Sequence, residues 1–195
     1  RLPPTFSRHY QAGQFVLLTL HSSEGAHPFT ILEHDTRSGL TTLAIKGLGD
    51  YTQQLSERLQ LGQQAQIEGP FGRFILPPAE AQPHYWIAGG IGITPFIAWL
   101  EKLAERGEQR PQTRLIYCVA RHEDLLFADR LQQLTQACGI QLQIIERDRD
   151  PRLDFGQLFQ EPHSRCWFCG PVRMRKMLAR ALPRHRLHYE RFEFR

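Results

Sequence analysis

At 195 residues with 41% hydrophobic content, the chain is long enough for one large or two modest globular domains with a packed core. Its formal net charge of +4 and pI near 9.1 come from many Arg with no long basic run, which points to anionic small ligands or an acidic partner more than to nucleic acid. The four Cys, at 118, 138, 166 and 169, are too sparse for the disulfide framework of a short secreted protein and are expected reduced, and no His spacing marks a metal site.

Neither a signal peptide nor an anchor is visible, so the chain as given is expected to be soluble. It opens on Arg1-Leu2-Pro3-Pro4 without an initiator Met, as a piece of a larger protein would. Residues 1 to about 78 alternate like a β domain, with strands expected at 15–20, 29–32, 40–45 and 65–68. Turn-forming residues separate them at Ser22 to Gly25, Arg37 to Gly39 and Gly69 to Gly72. Tyr51 to Leu61 is the one helical patch, with Leu55 and Leu59 on its apolar face. Short antiparallel strands with a single helix suggest a small barrel.

Pro77 to Pro83 is proline-rich and without periodicity, a natural linker, so domains are expected at 1–78 and 84–195. Beyond it strand and helix alternate: strand 84–88, helix 95–106, strand 114–119, helix 125–137, strands 141–146 and 165–169, helix 172–182, and a last strand over 187–194. That pattern predicts a Rossmann-like, mostly parallel sheet with helices on both faces and ligands at the carboxyl ends of its strands.

The organising stretch is Tyr85 to Leu100, where an apolar strand meets Gly89-Gly90-Ile91-Gly92 and Thr94-Pro95 opens a helix. Glycines at 90 and 92 let main-chain N–H groups approach an anion, Thr94 is a candidate N-cap and Pro95 a natural first helical residue. The run is too short for a membrane span, which needs roughly 20 apolar residues. Taken alone it also fits a glycine turn that merely joins a core strand to a core helix.

Four other segments carry chemistry or its bland equivalent. His27-Pro28-Phe29-Thr30 is a strand start or a ligand-facing edge; Lys46-Gly47-Leu48-Gly49-Asp50-Tyr51-Thr52 is a helix cap or a second pyrophosphate loop. Cys169-Gly170-Pro171 is another strand-end loop. Cys166-x-x-Cys169 lies in a strand that would point its thiols oppositely, against a redox or zinc pair. Glu190 to Arg195 closes the chain with aromatics that suit simple strand packing.

Taken in order, G-Q-F (13–15), H-P-F-T (27–30), I-K-G-L-G-D-Y-T (45–52), E-G-P-F-G (68–72), A-G-G-I-G-I-T-P-F (88–96), C-G-P (169–171) and E-R-F (190–192) resemble the ferredoxin-NADP reductase superfamily. The nearest likeness is to the dehydrogenase domain of its ferric reductase and NADPH oxidase branch, because many soluble relatives carry Arg-x-Tyr-Ser or Arg-x-Tyr-Thr where this chain has His27-Pro28-Phe29-Thr30. The resemblance implies a small antiparallel FAD-binding β-barrel followed by a Rossmann-like NAD(P)-binding domain. Members have a further strand before the G-Q-F segment, so the barrel is expected to lack its first strand and to leave an unpaired edge.

The resemblance also implies residue roles. His27, Pro28, Phe29 and Thr30 would lie along the flavin, with the Thr30 hydroxyl near N5; Lys46, Gly49, Asp50, Tyr51 and Thr52 would hold the FAD pyrophosphate. Gly90, Gly92, Thr94 and Pro95 would receive the dinucleotide pyrophosphate. Cys169, Gly170 and Pro171 would line the nicotinamide site, and Phe192, or Phe194 beyond it, would cover the flavin face. Hydride would pass from NAD(P)H to FAD and electrons then leave singly, with Thr30, Cys169 and Phe192 orienting the reaction and no general acid or base required.

Arg121, after the second strand of the dinucleotide domain, is the candidate for the 2'-phosphate of NADPH, opposed by Glu123 and Asp124; NADH is the alternative donor. In this reading the partner is a haem-containing membrane domain of the same parent polypeptide, with the fragment on the cytoplasmic face of the membrane. A soluble ferredoxin-reductase-type component and a non-catalytic nucleotide-binding module are the alternatives.

Overall fold

The computed structural model describes residues 1–20, 25–47, 52, 53, 55, 58–150, 153–159, 161 and 163–190. In the first half, strands β1 (Phe15–Thr19), β2 (His27–His34), β3 (Thr41–Leu43) and β4 (Gln66–Phe71) form an antiparallel sheet of order β3-β2-β1-β4. Val16 and Ile31 on its inner face are wholly buried and pack with Phe6 of a short helix α1 (Pro4–His9). The expected Gly69 to Gly72 turn is instead the end of β4, which reaches Phe71 through a register shift against β1.

Thr52, Gln53, Leu55 and Arg58 are helical, and Leu55 is buried. Leu59, expected on the same apolar face, lies past the helix and is exposed, because the chain turns out at Leu59 to Gly62.

The second half is a five-stranded parallel sheet of order β7-β6-β5-β8-β9, built from β5 (His84–Gly89), β6 (Thr113–Val119), β7 (Gln141–Glu146), β8 (Arg165–Cys169) and β9 (Leu187–Tyr189). The central strand β5 is buried along its whole length, which is why it reads as a continuous apolar run rather than an alternating one. Its odd-numbered residues Tyr85 and Ile87 face one core with helices α4 (Phe155–Leu158) and α5 (Val172–Ala181). Trp86 and Ala88 face the other, with α2 (Thr94–Arg106) and α3 (Ala128–Ala137).

The β and α/β architecture of the sequence reading is what the structure shows, with shifts at element ends. The helix expected from residue 125 starts at Ala128, since His122–Asp124 forms a 3-10 turn and Phe127 sits at φ +60°. The last strand ends at Tyr189; Phe192 and Phe194 lie outside the described residues.

The core that Trp86 faces is shared by both halves. It takes in Leu32 of β2 and Phe74 after β4, with Ala12 and Ala44 packed at its margin. Trp99 of α2 sits at its centre, fully buried, and its indole N–H donates to the Ala12 carbonyl at 2.9 Å. Arg130 of α3 reaches across to Glu33 of β2 while also holding Glu101 of α2 at 2.7 Å, and Lys46 meets Asp124 at 2.8 Å. The two sheets are therefore held by one hydrophobic core and two ion-paired straps.

Candidate cofactor site

The carboxyl ends of β5 and β8 interlock. A Cβ on Gly92 would fall 2.3 Å from the Cys169 carbonyl oxygen and 2.9 Å from the Gly170 nitrogen, and one on Gly89 would fall 2.6 Å from Pro171 Cδ. The two loops that sequence reasoning picked out separately, 89–95 and 169–171, thus form one surface, with the first turns of α2 and α5 beside each other. The positive ends of the two helix dipoles make that surface electropositive.

Gly90 is the open member. It has φ +56°, it is half-exposed, and a Cβ there would meet nothing within 4 Å. Gly90 and Ile91 are the part of the loop that a diphosphate can reach, whereas Gly92 is a packing glycine against the β8 backbone. The structure also corrects the cap: a 3-10 turn Gly90–Ile93 precedes the helix, Ile93 occupies the cap position, and buried Thr94 donates its hydroxyl to the Ile91 carbonyl at 3.1 Å. Thr94 and Pro95 therefore shape the turn from inside it.

Cys166 and Cys169 lie in opposite cores, as alternation along a strand requires. Burial pushes the Cys169 thiol up to about 12, and the Glu190 carboxylate adds to the rise, so this side chain is a neutral packing group at physiological pH.

Glu190 is the residue that sequence reasoning placed in a motif but gave no role. Its carboxylate accepts the Phe74 N–H at 3.2 Å and lies where a Cβ on Gly72 would fall at 2.9 Å. That same Cβ would be 3.0 Å from the Phe15 ring, and Phe15 pairs with Thr30 across β1 and β2. A continuous set of contacts therefore joins Thr30, Phe15, Gly72 and Glu190 to the neighbourhood of Cys169. Gly72 and Glu190 adjoin in space but stand 118 positions apart in the chain, which leaves no local signal for sequence reading to use.

His27, Pro28, Phe29 and Thr30 begin β2 and are all half-buried, whereas Ile31 and Leu32 directly after them are fully buried. A strand end that leaves an aromatic, a proline and a hydroxyl half open, with Phe71 at 41% exposure on the far side of Phe15, fits a planar apolar ring. Lys46 is on the other flank, its ammonium holding the Asp124 carboxyl below the usual range. Thr52 is one of the described helical residues; Gly49, Asp50 and Tyr51 lie outside the described residues.

Arg121 follows β6 and is 62% exposed. It pairs with Glu123 at 2.6 Å and stands 3.9 Å from Asp124. Arg121 and Glu123, with His122, Glu146, Asp148 and Arg149, surround a cavity of about 280 Å³ at the ends of β6 and β7. Among the described residues no helix is long and apolar enough to cross a membrane.

A parallel sheet whose strand ends carry a glycine loop and two helix starts, packed on an antiparallel sheet with a half-open aromatic strand end, defines an oxidoreductase that pairs a flavin with a nicotinamide dinucleotide. Residues 2–75 match the family described as oxidoreductase FAD-binding domain and residues 86–180 the oxidoreductase NAD-binding domain. The chain thus consists of ferredoxin-NADP reductase-like FAD- and NAD-binding domains, and its class is an NAD(P)H-dependent FAD oxidoreductase.

Among similar proteins, the toluate 1,2-dioxygenase electron transfer component of Pseudomonas putida is 34% identical over 62% of this chain and 35% of its own length. The carnitine monooxygenase reductase subunit of Escherichia coli is 33% identical over 71% of this chain and 43% of its own. The chain spans well under half the length of these relatives. Its fold is shared with the FAD/NAD-binding domain of nitric oxide dioxygenase from Vibrio cholerae, at TM-score 0.71 and 20% identity over 93% of this chain and 84% of that one. The cytochrome b5 reductase domain of Ulva prolifera nitrate reductase has it too, at TM-score 0.69 and 18% identity over 93% and 86%.

Proposed function

We propose that this chain is the reductase portion of an electron-transfer component, taking hydride from NAD(P)H into FAD and passing single electrons to an iron–sulfur or haem centre carried by a partner or by another part of its parent protein. The observation that carries the reading is the interlock of the 89–95 and 169–171 loops at the seam of two sheets that share one core. Such a seam brings a dinucleotide on one lobe and a flavin on the other to a fixed relative position, and position is the main thing a protein supplies to hydride transfer. In this assignment residues 1–78 carry FAD and 84–195 the dinucleotide.

When bound, the flavin converts a two-electron donor to one-electron delivery. The chain's own part is to bind and orient. Thr30 and Phe29 would lie along the ring, Lys46 and Thr52 with Gly49, Asp50 and Tyr51 would hold its diphosphate, and Gly90 would admit the dinucleotide diphosphate that Gly92, Thr94 and Pro95 shape from beneath. Cys169, Gly170 and Pro171 would wall the nicotinamide, and Phe192, with Phe194 as the second candidate, would cover the flavin face.

The names of the relatives, reductase components of dioxygenases and monooxygenases, favour a partner of oxygenase type. The His27-Pro28-Phe29-Thr30 segment in place of Arg-x-Tyr-Ser or Arg-x-Tyr-Thr supports the second reading, a haem-bearing membrane domain in the same parent and this portion on the cytoplasmic face. Transmembrane segments with paired histidines encoded upstream of Arg1 would establish the second and remove the first. The activity itself is tested by colour. FAD-reconstituted protein should show flavin absorption that bleaches anaerobically with NADPH or NADH, whereas a protein that stays colourless in saturating FAD supports a non-catalytic nucleotide-binding module or a truncated barrel.

Donor choice turns on Arg121. An exposed pair such as Arg121–Glu123 is worth less than about 1 kcal/mol, so a 2'-phosphate can displace the carboxylate, while Asp124 and Glu146 nearby disfavour the added negative charge. We therefore take NADPH as the donor through Arg121, with NADH accepted. Arg121→Ala should lower kcat/KM for NADPH about tenfold with little change for NADH, and Glu123→Gln should raise the NADPH-to-NADH ratio several-fold. Equal losses for both donors in Arg121→Ala would take Arg121 out of this role.

A further inference from the structure

The basic charge of the chain is concentrated in one place. From Arg165 to Tyr189 seven residues are Lys or Arg and none is Asp or Glu, so the rest of the chain carries a net charge of −3. Helix α5 lies within that stretch and starts directly after the Cys169-Gly170-Pro171 loop. Its residues 173, 176, 177 and 180 share one face by the i, i+3, i+4, i+7 rule, and that face holds Arg173, Lys176, Met177 and Arg180, all exposed. Among the described residues Arg173, Lys176 and Arg180 form no ion pair, although most other charged side chains around the parallel sheet do. Val172 and Met177 add exposed apolar area at 55% and 50%.

We infer that the exposed face of α5 is a docking surface for an acidic protein domain, the carrier of the one-electron centre. The inference rests on the reading that electrons leave toward a protein partner. Three uncompensated cations along a rigid helix about 15 Å long make a local positive field that attracts an acidic surface and sets its approach, and two apolar side chains among them supply contact area once water is expelled. The helix begins at the β8 loop, so a partner seated there lies at the mouth of the cofactor site. A lipid surface fits less well. The apolar side of α5, Met174, Leu178 and Ala181, is already packed into the core beneath the sheet, leaving no apolar face to enter a headgroup layer. The cofactor itself accounts for the first turn of α5 at most, and Lys176 and Arg180 lie one and two turns further on.

The test measures binding of the FAD-reconstituted protein to an acidic 2Fe–2S ferredoxin by calorimetry, with basic cytochrome c and phosphatidylserine vesicles alongside. Ferredoxin should bind and cytochrome c should not, and the affinity should fall about tenfold between about 50 and about 300 mM salt. K176E/R180E should weaken ferredoxin binding at least about tenfold and K176Q/R180Q by an intermediate factor. Both variants should keep the wild-type melting temperature and the wild-type rate of NADPH-driven reduction of menadione, a small neutral acceptor. Unchanged ferredoxin affinity in the charge-reversed variant overturns the docking surface, as does binding to vesicles in preference to ferredoxin. Failure of the wild type to reduce menadione would instead count against the oxidoreductase reading, and the calorimetry would still decide the docking surface.

Discussion

Replacing Gly92 by Ala should be among the most damaging single-methyl additions the chain can receive, although the residue is not in a left-handed conformation. The added Cβ would stand 2.3 Å from the Cys169 carbonyl oxygen, 2.6 Å from the Cys169 carbonyl carbon and 2.9 Å from the Gly170 nitrogen. All three are backbone atoms of the strand next to β5, so no side-chain rotation relieves the contact; the loop after β8 has to move. Overpacking ordinarily costs about 1–3 kcal/mol, and a rigid backbone obstacle places Gly92→Ala at about 3 kcal/mol or more.

The loss of function should exceed what the loss of stability predicts. Prising Cys169-Gly170-Pro171 away from Gly89 to Gly92 separates the starts of α2 and α5, the electropositive surface to which the dinucleotide is assigned. Binding of NADP+, followed by difference absorbance, should weaken at least about tenfold at a temperature where the variant is still folded, a loss of about 1.4 kcal/mol of contact with the diphosphate.

Gly90→Ala supplies the contrast. Its Cβ would enter open space, and the φ of +56° makes the cost a backbone one, about 1–2 kcal/mol. A melting temperature for Gly92→Ala equal to that of the wild type, or lying above that of Gly90→Ala, would show that the two loops do not interlock.

The interlock marks the line between what the amino-acid order discloses and what it does not. The alternation of strands and helices after Pro83 is legible because each buried parallel strand is an unbroken apolar run and each helix an amphipathic one, as in Tyr85 to Ala88 followed by Thr94 to Arg106. The same reasoning identifies the strand-end loops one at a time. It does not show that Gly92 faces Cys169, because no periodicity encodes which loop touches which.

The short helices α1 and α4 escape for a related reason. Six and four residues are too few to display a 3.6 period, and only Pro4 at the start of α1 and Asp154 capping α4 mark them. The straps Lys46–Asp124 and Arg130–Glu33 join residues 78 and 97 apart in the chain. Charge composition likewise conceals the basic face of α5. A net +4 is unremarkable as a sum, and only the fold places its sources on one helix beside the site.

Trp99 is where the two sheets are most tightly joined, and Trp99→Ala should be the most disruptive substitution in the shared core. The indole is fully buried, stacks on Phe74 at 4.8 Å and meets Trp86 and Phe96 edge-on at 5.1 Å each. Phe74 comes from the first half of the chain and the other two from the second. Removing the ring leaves a cavity bordered by both halves, at a cost of about 3–5 kcal/mol. Against a total stability of about 5–15 kcal/mol this is a large share, and for a chain of this size it should lower the melting temperature by about 10 °C.

Trp99→Phe separates packing from hydrogen bonding. It retains most of the buried ring but leaves the Ala12 carbonyl without its indole donor, and should cost about 1–2 kcal/mol. Because Ala12 immediately precedes the G-Q-F segment that leads into β1, loosening that bond frees the flavin-side sheet to shift against α2. Stopped-flow reduction of bound FAD by NADPH should therefore slow in both variants, by about tenfold to a hundredfold in Trp99→Ala and a few-fold in Trp99→Phe, while FAD affinity changes much less. The dissociation of rate from flavin binding is the informative result, because it separates the angle between the lobes from the integrity of either one. Were Trp99→Ala to lose FAD affinity and reduction rate in the same proportion, the indole would be holding the barrel together rather than setting the two lobes against each other.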